Sequence, residues 1–272
     1  MDSKMKIVAA AALMSVLAVV GSAYAAEEAA EESAVSATLD LTALNSYVWR
    51  GQVLNDEAVL QPSLTVAKNG FAINWWGNYN LTDNVTGDEF EFSEHDIGLS
   101  YSALCPFTGA NMTLGIVNYD FPNQFTAAAA DNISLVADTA EAYFSAAFTE
   151  VLLAPTLSVY YDLKEADGFY GSLAISHAIA LADAISLNLG ASIGGSDSDW
   201  GSYYFGDVDA NFTDYSLSAT LPVAVGDSWT ITPGIQYTSL VNDAEDAVND
   251  NPNLYFGETD QFIGSVKASY AF

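Results

Sequence analysis

Residues 36–50 read SATLDLTALNSYVWR, and their alternation decides the fold class. Apolar side chains at positions 37, 39, 41, 43, 47 and 49 alternate with polar side chains at 38, 40, 42, 46 and 50. A period of two is typical of a β-strand whose two faces meet different surroundings. We interpret the apolar face as facing lipid and the polar face as facing an aqueous lumen.

The same alternation recurs down the chain, in stretches of about ten residues separated by turn-rich segments. About twelve such stretches precede the C-terminus, and in antiparallel barrels of this kind short turns and long loops alternate. Short connections are predicted at one end of the barrel, at 68–70, 105–110, 150–154, 180–183 and 222–228. Long loops are predicted at the opposite end, at 82–91, 120–138, 195–211 and 241–257. The connection at 164–168 is the one brief exception at that end.

Closure of the sheet follows from the surroundings of the strands. Hydrocarbon cannot hydrogen-bond a bare strand edge, so the last strand must pair with the first. We therefore predict an all-β protein, a closed antiparallel transmembrane β-barrel of about twelve strands over residues 36–272. Asp40 and Lys267 both face inward at a similar depth, and we expect them to lie near each other.

The N-terminus is typical of an exported protein. Lys4 and Lys6 precede the apolar run 7–20, and Ala23-Tyr24-Ala25 supplies the small residues of a cleavage site. We predict a signal peptide over residues 1–25 and an acidic N-terminal segment over residues 26–35. The predicted location is the outer membrane of a Gram-negative bacterium, in contact with its lipid.

The charge balance restricts the partners of this protein. Its 272 residues are 51% hydrophobic, yet 35 acidic residues oppose 6 basic ones, for a net charge of -29. A chain this acidic lacks the positive charge that binds phosphates, which argues against nucleic acid as a partner.

Charged residues on the predicted inward faces are the candidate pore-lining residues. An open lumen with an acidic excess attracts cations and repels anions. This predicts a porin-like passive channel for small solutes with a mild cation preference. The alternative is a closed structural or loop-binding barrel, with its lumen plugged by residues 120–138 or 26–35. The pore-lining candidates are Asp40, Arg50, Glu94, Asp96, Glu141, Asp162, Asp214 and Lys267.

Aromatic residues divide by face. Those on the apolar face are predicted to form the girdles at the membrane interfaces, where amphipathic rings are enriched. They are Tyr47, Trp49, Trp75, Tyr79, Tyr215, Trp229 and Tyr237. Trp76, Tyr160 and Tyr170 face inward, where we favour packing within the lumen over stacking against a bound sugar or base.

Enzyme chemistry finds little support. Ser93-Glu94-His95 places a serine and a histidine on one predicted face, as in the lipid-facing site of outer-membrane phospholipases, but without the histidine-x-serine order of that family. The Asp-x-Asp spacings at 197/199 and 207/209 lack the full pattern of a calcium loop. We predict no catalytic, cofactor-binding or metal-binding residues, and a hydrolase is the least favoured alternative.

Two stretches resemble known families. Phe262–Phe272, with alternating apolar residues and a terminal phenylalanine, resembles the assembly signal of bacterial outer-membrane barrels, which implies recognition by the barrel assembly machinery. The chain is also similar to the TorF-like (Gcw-chp) family of outer-membrane proteins, although Asn45 departs from the small or acidic residue expected there. That resemblance implies a barrel with a transport role, an inward charge at Arg50 and a tight strand exit at Gly51. It lies in SYVWRG (46–51), QPSL (61–64), GFA (70–72) and WGN (76–78).

Overall fold

The computed structural model of this protein describes residues 35–85, 89–122, 137–206 and 208–272. The predicted signal peptide and most of the acidic segment lie outside these residues. Twelve strands form the wall of one antiparallel sheet. They are β1 (Ser36–Leu44), β4 (Val59–Lys68), β5 (Phe71–Asn80), β6 (Glu91–Leu104), β7 (Asn111–Asp120), β8 (Thr139–Ala147), β9 (Thr156–Asp162), β10 (Phe169–Ala182), β11 (Ile185–Ser196), β12 (Asn211–Thr220), β14 (Trp229–Leu240) and β15 (Asp260–Ala271).

The wall is closed by its terminal strands. β15 pairs with β14 on one side and with β1 on the other, where Leu39 faces Tyr270 and Leu41 faces Ala268. No wall strand is left with a bare edge, as hydrocarbon surroundings require. The prediction of a closed antiparallel barrel of twelve strands is confirmed.

The two faces of the wall have opposite polarity. In β6, Ile97 is 57% exposed and Leu99 is 54% exposed, whereas Asp96 and Ser100 are buried on the inner face. A water-soluble protein places these residue types the other way round. The apolar exterior is therefore a lipid-facing surface.

The connections differ in length at the two ends. At one end, which we call the short-turn end, β1 begins, β15 ends, and tight connections such as Asn69-Gly70 join neighbouring strands. The short strand β13 (Val223–Val225) also lies at this end, between β12 and β14. The other end, the long-loop end, carries β2 (Tyr47–Trp49), β3 (Gln52–Asn55), α1 (Ser198–Phe205), α2 (Asn242–Asp250) and a 3-10 turn (Leu254–Gly257). Within the described ranges, every helix is too short or too polar to cross a membrane.

The first predicted strand is too long. β1 ends at Leu44, and β2 and β3 form a separate two-stranded hairpin rather than part of the wall. Tyr47 and Trp49 are only 4% and 8% exposed, so their assignment to the aromatic girdle is wrong. The alternation of apolar and polar residues continues through residue 49. The chain nevertheless leaves the wall at Asn45, so Tyr47 and Trp49 lie inside the barrel. The other predicted girdle residues lie on the outer face: Trp75, Tyr79, Tyr215, Trp229 and Tyr237.

Asp40 and Lys267 face the bore but form no ion pair. Asp40 lies opposite Ser269, whose hydroxyl donates to its carboxylate, and Lys267 lies opposite Thr42. The two charged residues are thus one diagonal step apart, about 7–8 Å between backbones. Among the described residues, the salt bridge of this barrel is formed elsewhere, by Arg50 and Glu141.

A charge on the outer wall is expected to be costly. Leu217 is 54% exposed near the middle of β12, so Leu217→Arg places a guanidinium in hydrocarbon and lowers the free energy of unfolding by about 2–4 kcal/mol. Urea unfolding of the barrel in lipid vesicles measures the loss. Ser218→Arg is the matched control, because the neighbouring side chain faces the bore. An equal loss in both variants contradicts the assignment of the two faces.

Candidate functional site

A compact group of elements occupies the bore at the long-loop end, and we call it the plug. It consists of the β2–β3 hairpin with α1 and α2. Asn45 fixes the point where the hairpin leaves the wall, because its side-chain amide donates to the carbonyl of Phe262 and accepts from the amide of Gly264. Ser46 then donates to the carbonyl of Asn55 across the hairpin, at 2.9 Å.

The tip of the hairpin is a tight turn at Arg50 and Gly51. Both residues have positive φ angles, 49° and 79°, as the two central residues of a type I′ turn require. A Cβ atom at Gly51 would lie 2.6 Å from Cδ2 of Leu240, so only glycine fits this close approach. The turn thereby holds Arg50 against the opposite side of the bore.

Arg50 is the centre of the plug. Its two terminal nitrogens donate to the two carboxylate oxygens of Glu141, each at 2.7 Å. This paired geometry is the strongest form of arginine–carboxylate contact. The guanidinium also lies over four aromatic rings, with distances to the ring centroids of 4.2 Å for Tyr170, 4.3 Å for Trp49, 4.5 Å for Tyr160 and 5.5 Å for Trp200.

Electrostatics keep this arginine charged despite its burial. Burial is the largest single influence and lowers the pKa of Arg50, but the charge and hydrogen bonds of Glu141, together with Tyr119 and Tyr170, outweigh it and hold the pKa above its ordinary value. Tyr119 donates a further hydrogen bond to Glu141 at 2.8 Å. Both carboxylate oxygens of Glu141 are therefore occupied by donors within the plug.

The helices complete the plug with apolar contacts. α1 begins where the Asp197 side chain accepts from the amide of Trp200, which starts the helix and sets that ring facing inward. The Trp200 ring contacts Trp49 and Tyr170 and is fully buried. Leu240 at the end of β14 and Val248 of α2 are also fully buried. The core of this barrel thus lies inside the bore at the long-loop end.

Two further inward acids, Asp162 of β9 and Asp214 of β12, accept hydrogen bonds from neutral donors. Asp162 accepts from the Thr139 hydroxyl and from the backbone amides of residues 164 and 165, so it holds the short loop between β9 and β10. Asp214 accepts from Thr213 at 2.8 Å and from Tyr170 at 3.0 Å. These carboxylates stabilise local structure and leave the Arg50–Glu141 pair intact.

A second acidic pair lies on the inner face of β6. Glu94 and Asp96 are each 2% exposed, and their carboxyl groups interact directly. Glu94 accepts from the Tyr47 hydroxyl of the hairpin at 2.8 Å. Apart from its hydrogen bond with the Glu94 carboxyl group, the buried carboxyl group of Asp96 has no hydrogen-bond partner among the described residues.

All eight candidate pore-lining residues therefore have their side chains inside the barrel, in two groups. Six have buried side chains: Arg50, Glu94, Asp96, Glu141, Asp162 and Asp214. Asp40 and Lys267 lie apart from them and remain half-buried. The inward packing expected for Trp76, Tyr160 and Tyr170 is confirmed, since all three belong to the buried core.

Between the plug and the short-turn end, the bore is polar and contains a cavity. The cavity has a volume of about 40 Å³ and its ceiling is the hairpin tip at Arg50 and Gly51. Its walls carry small hydroxyl and amide side chains, among them Ser172, Ser192, Ser216, Gln236 and Thr238. Asp214 also lines the cavity, so a polar solute there meets hydroxyl and amide groups beside Arg50 and one carboxyl group.

The serine–histidine arrangement that a hydrolase requires is not formed. A β-bulge lies where β5 pairs with β6, because Glu94 opposes Asn78 while Phe92 opposes Tyr79. Ser93 is the extra residue, and its buried hydroxyl accepts from the Asn78 amide at 2.8 Å. The His95 ring instead stacks on Trp75 on the outer face. The expectation that Ser93 and His95 share a face is wrong, because the bulge shifts the alternation by one residue.

Nor do metal-ligating side chains gather in the described ranges, where no three His, Cys, Asp or Glu residues converge. Asp197 of the first Asp-x-Asp spacing serves as the helix cap of α1, and residue 207 of the second lies outside the described residues.

The inserted hairpin is the part of the site that periodicity missed. Its alternation is the same as that of the wall strand before it, so the pattern alone does not separate them. The available signal was the turn pair Arg50-Gly51 flanked by two short apolar runs, YVW (47–49) and QVLN (52–55). Asn45-Ser46 marks the point of departure, since both residue types favour turns.

Comparison with known proteins yields structural neighbours only. The COG4313 outer membrane channel from Pseudomonas putida F1 is similar to this chain with a TM-score of 0.51 and 8% identity, over 90% of this chain and 97% of that one. The NanC porin has a TM-score of 0.48 at 11% identity, covering 86% of this chain and 98% of its own. The KdgM porin has a TM-score of 0.46 at 10% identity, covering 86% and 99%.

The first of these neighbours shares the fold of this chain over nearly its whole length. The chain is a closed twelve-stranded β-barrel with an apolar exterior. No family profile and no curated protein matches its sequence. The resemblance to the TorF-like family therefore stays a prediction, and the structural similarity establishes the barrel fold.

Proposed function

We propose that this barrel is a porin-like passive channel for small solutes with a mild preference for cations. The observation that carries the proposal is the polar cavity below the hairpin tip, inside a closed lipid-facing wall. A solute entering from the short-turn end meets hydroxyl and amide groups as far as Arg50. The plug is then the constriction that limits its size.

The charge of the bore supports the cation preference. Six inward acids, Asp40, Glu94, Asp96, Glu141, Asp162 and Asp214, oppose the two bases Arg50 and Lys267. Arg50 is neutralised by Glu141, so the acids that remain set the sign of the potential along the path. Low-dielectric walls focus that potential and raise the local concentration of cations.

Planar-bilayer recording tests this proposal directly. The purified barrel, refolded and inserted into a bilayer between unequal KCl solutions, is expected to show a small conductance with a reversal potential of the sign for K⁺ over Cl⁻. Asp40→Asn and Lys267→Ala are expected to shift the reversal potential in opposite directions, because both side chains are half-buried in the bore away from the plug. A barrel that is verified as folded and conducts nothing excludes a channel.

The second candidate function is a closed structural or loop-binding barrel. It is favoured by one specific observation, the complete burial of Trp200, Leu240 and Glu141 in the plug. The blocking segments considered from the sequence, 26–35 and 120–138, lie mostly outside the described residues, whereas the plug is built from residues 46–55 and the helices. Silent bilayers for the complete chain, together with conductance after removal of the hairpin, are the pattern expected of such a barrel.

Assembly into the membrane is proposed to use the last strand. β15 ends beside Phe272, which is 73% exposed and contacts the Tyr270 ring on the outer face. Its alternating apolar residues support recognition by the barrel assembly machinery. Because β15 also closes the sheet against β1, this strand is suited to hold the barrel edge until closure.

A further inference from the structure

A groove interrupts the outer face of the wall near the long-loop end. Gly171 of β10 lies directly opposite Gly195 of β11, with Val159 of β9 beside the first and Phe212 of β12 beside the second. The two central positions of this row across four strands therefore have no side chain. The groove has a volume of about 480 Å³. Pockets that hold small molecules have volumes of roughly 300–1,000 Å³, so the groove is large enough for a ligand.

The walls of the groove are apolar and belong to the lipid-facing surface. Val159, Phe169 and Phe212 line it, and all three are exposed on the outer face. Leu173 and Ile193, which lie opposite each other, form the next pair on that face toward the middle of the two strands. An occupant of the groove thus meets hydrocarbon side chains around it and strand backbone beneath it.

The fold does not require a glycine at position 171. Gly171 lies within β10, outside the left-handed region of φ, and a Cβ atom there would meet only the carbonyl oxygen of Ser158 among the described residues, at an ordinary 3.7 Å. Gly195 differs, because a Cβ atom there would lie 2.8 Å from the carbonyl oxygen of Asn211. Glycine weakens a strand and often marks a place where a ligand approaches the backbone closely. Gly171 is explained by such an approach.

The surroundings of the groove indicate what fills it. Its open side borders the hydrocarbon of the membrane, and an unfilled void would deprive the lining atoms of dispersion contacts on one side. Toward the long-loop end the lining becomes polar, with Asp197 and Asn211. An apolar floor that ends at a polar rim matches a lipid, which has an apolar chain and a polar head group. The uniformly apolar wall of a second barrel lacks this polarity.

We propose that this groove binds one acyl chain of a membrane lipid, with the head group of that lipid beside Asp197 and Asn211. The chain lies on the backbone of Gly171, between Val159 and Phe212. This site is distinct from the proposed conduction, because it is on the outer face of the wall. A barrel that conducts nothing binds the chain equally well.

Photolabelling from the lipid tests the proposal. The barrel is refolded into phosphatidylcholine vesicles that contain a small fraction of phosphatidylcholine with a diazirine on its acyl chain, and the labelled residues are mapped by mass spectrometry after illumination. Phe262 is the reference, because it is 69% exposed on the outer face of β15 toward the same end. Val159, Phe169 and Phe212 are only 38%, 50% and 58% exposed, so exposure alone predicts less labelling for them. We expect several-fold more labelling at these three residues than at Phe262.

Two variants separate the groove from ordinary contact with lipid. Gly171→Leu fills the groove and is expected to reduce the labelling of its three lining residues to the level of Phe262. Ala268→Leu is the matched control, because Ala268 lies opposite Leu41 on the outer face of β15, away from the groove. It is expected to leave the excess labelling unchanged. Heat-dependent mobility in gels verifies that each variant is folded.

Three outcomes overturn the proposal. The first is labelling of the groove residues in the unaltered barrel that does not exceed that of Phe262, and this result is decisive even if a variant does not fold. The second is excess labelling that persists in folded Gly171→Leu. The third is protection of the groove residues from the lipid together with chemically cross-linked dimers, which assigns the groove to a second copy of the chain.

Discussion

Arg50→Ala is expected to lower the free energy of unfolding by about 3–5 kcal/mol, the cost of breaking one buried ion pair from one side. The variant leaves Glu141, which is fully buried, with a hydrogen bond from Tyr119 but without its positive charge. It also removes the cation from the faces of Trp49, Tyr160 and Tyr170, which loses further attraction. Urea unfolding in lipid vesicles, followed by tryptophan fluorescence, measures the change.

Two further variants serve as a control and as a rescue for this prediction. Lys267→Ala removes the other base of the bore, which is half-buried and forms no ion pair among the described residues, so its effect is expected to be small. Arg50→Met combined with Glu141→Leu replaces the pair by apolar side chains of similar length and is expected to recover most of the stability. If Arg50→Ala unfolds like the unaltered barrel, then the plug does not depend on this pair.

Replacement of residues 46–57 by a Gly-Gly link is expected to raise the conductance several-fold. Leu44 of β1 lies directly opposite Val59 of β4, so a short turn joins the two strands without disturbing their register. The change removes Arg50, Trp49 and Tyr47 from the bore and leaves the wall intact. Single-channel recording in planar bilayers measures the conductance before and after the change.

The matched control shortens the turn at 105–110 by removing residues 106–109. That turn lies at the short-turn end, between β6 and β7 and away from the plug, so the conductance is expected to stay as it was. Gel mobility with and without heating verifies that each barrel is folded. An unchanged conductance after removal of the hairpin means that the helices close the bore without it.

The wall strands could be predicted from the sequence because their alternation depends on residues only a few positions apart. A lipid-facing side and a polar side impose a period of two on each strand, so β6 and β12 were placed with the correct faces. The alternation of short turns and long loops gave an independent indication of a barrel. Closure followed because a strand edge cannot be left bare in hydrocarbon.

The period-two alternation led to two wrong predictions of which face a side chain occupies. In each case the chain departs from a regular strand at a single residue. The bulge at Ser93 moved His95 to the outer face, and nothing in the alternation of β6 announces an extra residue. The departure of the chain at Asn45 carried Tyr47 and Trp49 inside, although their spacing continues that of β1. In both cases the alternation of residues was identified correctly, but the side chains lie in surroundings other than those predicted from it.

By itself, the sequence determined a closed twelve-stranded barrel with an apolar exterior and an acidic interior, since alternation and charge depend on neighbours a few residues apart. Only the tertiary structure decided which inward charges meet. Arg50 and Glu141 are separated by 91 residues and Tyr47 and Glu94 by 47, and these contacts depend on the register of several strands and on a hairpin folded into the bore. Burial then makes those few contacts strong, because water no longer competes for the charges.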